Sequence, residues 1–180
     1  MKALIIIDMI VRDVIKRKDK NKLISNQLKL IEGFKKNKQK VILVGGDKNG
    51  KPSKKIDSVM FKLWGNEESK NPAENKVIPE LLNSNYYYYV DKSRYSAFFK
   101  TDLEEYCKKN EINELYFCGI SSGVCVYFSA ADAVMRGIQP YLVTDASGSV
   151  SDKQHKININ NFESVIGPSL TTKDVLKKIK

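Results

Sequence analysis

Histidine is nearly missing from this chain of 180 residues, with His155 the single example. Any site needing two or more imidazoles is excluded, and with it histidine-based zinc hydrolases and Ser-His-Asp arrangements repeated on several loops. Cysteine is scarce too: Cys107, Cys118 and Cys125 are odd in number, at spacings of 11 and 7 that fit neither a disulfide framework nor a zinc ribbon. Reduced thiols are expected. No run approaches the roughly 20 uncharged apolar residues of a membrane span, and Asp8 breaks the first apolar run before it could serve as a secretory signal. A cytoplasmic protein with no membrane partner is expected. Arginine supplies only four of 31 cations, so the net charge of +10 does not by itself favour nucleic-acid binding, where bidentate arginine contacts dominate. The charge excess sits in residues 1–90, which hold 19 Lys or Arg against 10 Asp or Glu. A lysine-rich solvated face accounts for it. An enzyme built from this composition would draw its proton chemistry from Asp, Lys or Cys.

What is present is an alternation of short apolar runs with helical periods. Lys2–Ile7, Val41–Val44, Tyr86–Val90, Leu115–Cys118 and Pro140–Val143 read as strands, with Ser164–Ile166 as a sixth. Between them lie helical patterns at Ser25–Phe34, Pro79–Leu82, Thr101–Asn110 with Thr101 as cap, Gly123–Arg136 with Ser122 as cap and Gly137 as stop, His155–Phe162 and Thr172–Ile179. Residues 47–75 form a long excursion with Phe61, Leu63 and Trp64 as anchors. With no linker and no internal repeat, residues 1–180 read as one domain.

Such an order argues an α/β fold in three layers, α-β-α, around a doubly wound, mostly parallel six-stranded sheet. Ligands of these sheets bind beyond the carboxyl ends of the strands. That address selects Asp8, Asp47, Lys92, Ser121 to Cys125, and Asp145. Cys125 falls at the first turn of a helix, where free N–H groups and the helix dipole favour a thiolate. Asp8 and Lys92 bring an acid and a cation to the same edge. Taken singly, each has a plainer reading: a core cysteine, a capping carboxylate, a solvated lysine.

The segments Ala3–Asp8, Phe61-Lys-Leu-Trp64 with Val77–Leu81, Lys92–Phe98 with Thr101–Leu103, and Cys118-Gly-Ile-Ser-Ser-Gly-Val-Cys-Val126 stand in one order along the chain. Ala130–Ala133 and Thr144–Ala146 extend them. In this the sequence resembles the isochorismatase-like cysteine hydrolases, the superfamily that includes nicotinamidases and N-carbamoylsarcosine amidohydrolases. The resemblance implies Asp8, Lys92 and Cys125 as catalytic residues: general base, charge stabiliser and nucleophile. It also implies an oxyanion hole of backbone N–H groups at Ser121 and Cys125, beside a cis peptide at Ile120–Ser121. Trp64, Tyr95 and Phe98 are candidate walls of the substrate pocket, although each could equally anchor a loop on the core.

Departures from the family pattern bear on the substrate. Where nicotinamidases hold a metal with an Asp and two His, this chain has Asp47, Asn49 and Glu67, so no metal is expected, and no cofactor. A Gln commonly found two positions after the Asp is Ile10, and a Gly-Thr pair reads Asn71-Pro72. His155 matches a family position and is read as structural. The Tyr86–Tyr89 run should show two rings to each face of its strand, packed on the core. Family resemblance implies a small-molecule substrate and a homo-oligomer. The leading expectation is a cysteine hydrolase of a small amide or carbamoyl C–N bond. The alternatives are a vinyl ether hydrolase of the isochorismatase type and a non-catalytic protein that binds an acidic partner through its basic first half.

Overall fold

The computed structural model describes residues 1–51, 59 and 70–180. In chain order the elements are β1 (Lys2–Ile7), α1 (Val11–Val14), α2 (Lys20–Lys36), β2 (Lys40–Gly45), a 3-10 turn (Pro72–Asn75), α3 (Pro79–Leu82), β3 (Tyr88–Asp91), α4 (Leu103–Lys109), β4 (Glu114–Ile120), α5 (Cys125–Val134), β5 (Gln139–Gly148), α6 (Asp152–Val165), β6 (Ser169–Leu170) and α7 (Thr172–Lys178). The six strands form one sheet in the order β3-β2-β1-β4-β5-β6, every neighbouring pair parallel. The chain first winds outward one way from β1, then returns to β4 and winds the other way. The switch point therefore lies between β1 and β4.

β1 shows why its apolar run is unbroken. Leu4 and Ile6 enter a core with Leu30, Ile31 and Phe34 of α2 and Val175 of α7. Ala3, Ile5 and Ile7 enter a second core with Leu103 of α4, Val126 and Ala130 of α5, and Phe162 of α6. Two buried faces demand apolar residues at every position, as a three-layer α-β-α domain requires. Among the described residues no helix is long and apolar enough to cross a membrane.

Several boundaries differ from the sequence reading, each for a local reason. The sixth strand is Ser169–Leu170, and residues 164–165 instead finish α6, which ends where Gly167 and Pro168 follow. α5 begins at Cys125, with Val124 and not Ser122 in the cap position, because the Ser122 hydroxyl is spent on His155 at 2.9 Å. Asp102 stands directly before α4 with no side-chain cap bond, and it is Thr101, one residue earlier, whose hydroxyl accepts from the Leu103 amide at 3.3 Å while donating to the Ala97 carbonyl at 2.6 Å. β5 runs on through Thr144–Gly148, with an irregular register against β4 between Phe117 and Gly119. The tyrosine run divides three to one and not two to two. Tyr86 precedes the strand and packs with Tyr87 and Tyr89 on one core, whereas Tyr88 alone meets the other, stacked on Tyr106 with ring centroids 3.8 Å apart.

Candidate active site

Asp8, Lys92 and Cys125 reach the carboxyl edge of the sheet from three strands. Asp8 follows β1 in a left-handed conformation, φ 52°, a region that aspartate tolerates better than most residues. Its amide donates to the Val44 carbonyl at 3.0 Å, and the Lys92 amide after β3 donates to the next carbonyl, Gly45, at 2.8 Å. The end of β2 thus pins both backbones. Cys125 is reached from β4 through the turn 121–124, whose Ser121 carbonyl accepts from Val124 at 3.0 Å and Val126 at 3.3 Å.

The three side chains meet. Lys92 Nζ donates to Asp8 Oδ2 at 2.7 Å, to the Arg94 carbonyl at 3.0 Å and to Cys125 Sγ at 3.5 Å, which uses all three of its hydrogens. The lysine side chain is only 8% exposed and the Asp8 side chain 19%. Burial works against the ammonium, but the Asp8 carboxylate and the Cys125 sulfur outweigh it and hold Lys92 above its ordinary value. For Cys125 the balance falls the other way. Burial, then the Asp8 carboxylate, push the thiol well up, and Lys92 offsets only part of this. Burial and the neighbouring carboxylate thus oppose the ionisation that helix position alone favours.

The Ile120–Ser121 peptide is cis. Neither the Ser121 nor the Cys125 amide N–H has an acceptor among the described residues. Beneath this turn lies a polar network that sequence reasoning did not identify. His155 Nε2 lies 2.9 Å from the Thr144 carbonyl, so that nitrogen carries a proton and donates there, and Nδ1 lies 2.9 Å from the Ser122 hydroxyl. The amide of Asn158 lies 3.1 Å from both the Ser122 and Ser149 hydroxyls, and Ser149 reaches Ser121 at 3.1 Å. A Cβ on Gly123 would strike Asn158 at 2.5 Å, so a glycine there allows the close approach. A polar residue on the buried face of α6 is the only sequence signal for Asn158.

The other candidates are placed as follows. Tyr95 stacks on Phe128 with centroids 5.4 Å apart, beside α5. Phe98 is a core residue at 4% exposure, with the Arg136 guanidinium over its ring at 4.8 Å. Trp64, with Phe61, Leu63 and Glu67, lies outside the described residues. Asp47 Oδ1 accepts from the amides of Asn49 and Lys51 at 2.9 and 3.1 Å and so shapes its own turn. Asp145 sits inside β5, where its carboxylate accepts from the Thr172 amide at 2.7 Å and starts α7. Ile10 is buried and bridges to Val77. Among the described residues no group of three His, Cys, Asp or Glu is placed to hold a metal. An open groove of about 1030 Å³ between α2 and α7 contains none of the three converging residues.

A family profile described as Isochorismatase domain matches residues 2–174. A protein of Pseudomonas chlororaphis named "Probable isochorismatase" is 32% identical over 71% of this chain, a match spanning 61% of that protein's length. The chain thus covers under two thirds of that relative. A solved structure of a cysteine hydrolase from Pseudomonas syringae pv. phaseolicola 1448A superposes with a TM-score of 0.86 at 21% identity, covering 99% of this chain and 92% of that one. An N-carbamoylsarcosine amidase from Thermoplasma acidophilum gives 0.80 at 25% identity, over 95% and 96% of the two chains.

Proposed function

This chain belongs to the isochorismatase domain family, whose profile covers nearly all of it, and from that premise we propose that it is a cysteine hydrolase acting on a C–N bond of a small amide or carbamoyl compound. The single observation that carries this reading is the position of Lys92 Nζ, 2.7 Å from Asp8 and 3.5 Å from Cys125. A buried acid, cation and thiol in mutual contact are arranged for proton transfer to and from sulfur. The similarity to an amidase of known fold supports it.

The chemistry follows from the residues. Asp8 takes the proton of the Cys125 thiol as the sulfur attacks the carbonyl carbon, and the carbonyl π electrons move to oxygen. The Ser121 and Cys125 amides donate to that oxyanion, and the Lys92 ammonium balances the charge that has moved between Asp8 and sulfur. Collapse breaks the C–N bond, and Asp8 hands its proton to the nitrogen that leaves as ammonia or an amine. A thioester remains. Water then attacks it, Asp8 takes the water's proton, and the sulfur leaves and recovers a proton from Asp8. The products are an acid and the free enzyme, and the sequence of steps uses no cofactor.

The test is a panel of nicotinamide, pyrazinamide, N-carbamoyl amino acids and ureas, with ammonia release as the readout, run on the native chain and on Cys125→Ala. Release should fall by at least about a thousandfold in the variant, the scale seen when one member of a catalytic unit is removed. A second reading, vinyl ether hydrolysis, is favoured by the curated relative named as an isochorismatase. That reaction needs the carboxylate more than the sulfur, so isochorismate turnover that survives in Cys125→Ala would select it. The proposal extends to a homo-oligomer, supported by Phe99, Phe128 and Met135 left exposed on and beside α5. Sedimentation checks that part.

A further inference from the structure

Lys92 and Cys125 come from different strands, so their spacing needs something that ties the lysine loop to the cysteine helix. Besides the Lys92 Nζ contact with Cys125 Sγ, hydrogen bonds tie the loop 92–99 to α5 at an outer and an inner point. The outer one is Ser96 Oγ with Asp132 Oδ2 near the surface, and Ser96 Oγ also receives the Phe98 amide at 3.1 Å. The inner point is Ser129, which is fully buried one helical turn beyond Cys125. Its hydroxyl donates to the Cys125 carbonyl at 2.7 Å and accepts from the Ala97 amide at 2.9 Å. One oxygen therefore joins the backbone of the nucleophile to the backbone of the loop that aims the ammonium.

We propose that Ser129 is a positioning residue that sets the distance between Lys92 and Cys125. The proposal rests on the hydrolase reading above and deepens it by a residue that touches neither substrate nor reacting atoms. Without the hydroxyl, Cys125 keeps its helical carbonyl bond, but the buried Ala97 amide loses the acceptor it has in Ser129 and the loop loses its inner tie to the helix. Lys92 is the cation that draws the thiol toward ionisation. Its drift would make the thiol harder to ionise and less reactive, and displacements of about 1 Å at such a site cost up to about a hundredfold in rate.

Site-resolved alkylation with iodoacetamide tests this without a known substrate. Rates at Cys125 are measured by mass spectrometry from pH 6 to 10 in the native chain and in Ser129→Ala, Ser129→Val and Ser129→Thr, with Cys107 as internal reference and thermal melting recorded alongside. Roughly tenfold slower alkylation near neutral pH is expected in the Ala and Val variants, with the profile displaced to higher pH, while Thr, which keeps the hydroxyl at the volume of Val, stays near the native rate. Native profiles in all three variants would overturn the proposal even if melting temperatures fall, since that marks a role in packing alone. Equal slowing in all three would overturn it too, because volume and not the hydroxyl would then be responsible. A native Cys125 that alkylates no faster than Cys107 would overturn the hydrolase reading itself and Ser129's role with it.

Discussion

Gly119 lies so close to Ile7 across the β1–β4 seam that a Cβ on it would stand 2.0 Å from the Ile7 carbonyl oxygen. Its φ of 114° is open only to glycine at low cost. The contact joins the strand that ends in Asp8 to the strand that leads to Ser121 and Cys125, at the switch point of the sheet. Gly119→Ala should therefore destabilise the fold by about 3 kcal/mol or more, through both strain and the clash. Urea denaturation checks this, and a variant within about 0.5 kcal/mol of the native chain would contradict it.

The Lys92 and Asp8 pair is nearly enclosed, so removing one partner leaves the other charge buried without compensation. Lys92→Met should cost about 2–4 kcal/mol, less than for a fully buried pair because Asp8 retains some exposure. The same variant should lose hydrolytic activity. A double variant, Asp8→Asn with Lys92→Met, should recover part of the stability and none of the activity, which separates the two effects in a double-mutant cycle.

Burial raises all three thiols above their ordinary value of 9.0, with Cys107 pushed up to about 12 and Cys118 and Cys125 also raised. In that range the native chain holds protons that the unfolded chain releases. Stability from this source is complete below pH 9 and falls as pH rises through the folded values, by up to about 1.4 kcal/mol per pH unit for each thiol. Urea midpoints measured between pH 8 and 10.5 should be level at first and then drop steeply. Cys107→Ala should make the drop shallower by one proton.

Much of this was readable from residue order. Continuous apolar runs marked β1, β2 and β4 because both faces of a central strand are buried; Asp8 and Lys92 stood directly after strands and Cys125 at the start of the helix that follows β4. What could not be read depends on contacts between distant segments. β6 is two residues, Ser169–Leu170, with no pattern of its own, and the end of β5 is polar because it pairs at the sheet edge that carries the site. Ser122 looked like a helix cap until its hydroxyl was found on His155. The thiol at Cys125 looked ready to ionise from its helix position, but the carboxylate and the burial that oppose ionisation belong to the fold.

His155 bridges the Ser122 hydroxyl and the Thr144 carbonyl, so its ring secures the turn below Cys125. His155→Phe keeps the volume and abandons both partners, and should cost about 1–3 kcal/mol. Nitrogen chemical shifts of the native ring should show a proton on Nε2. The opposite tautomer would contradict the network drawn here.

The central claim is that Cys125 becomes acylated during turnover. Acid quenching of the native chain during reaction with an amide from which it releases ammonia, followed by peptide mass spectrometry, tests this most directly. An added acyl mass confined to the peptide holding Cys125, and absent from Cys125→Ala, is the predicted result. Undiminished ammonia release by Cys125→Ala, with no adduct on the native sulfur, would contradict it.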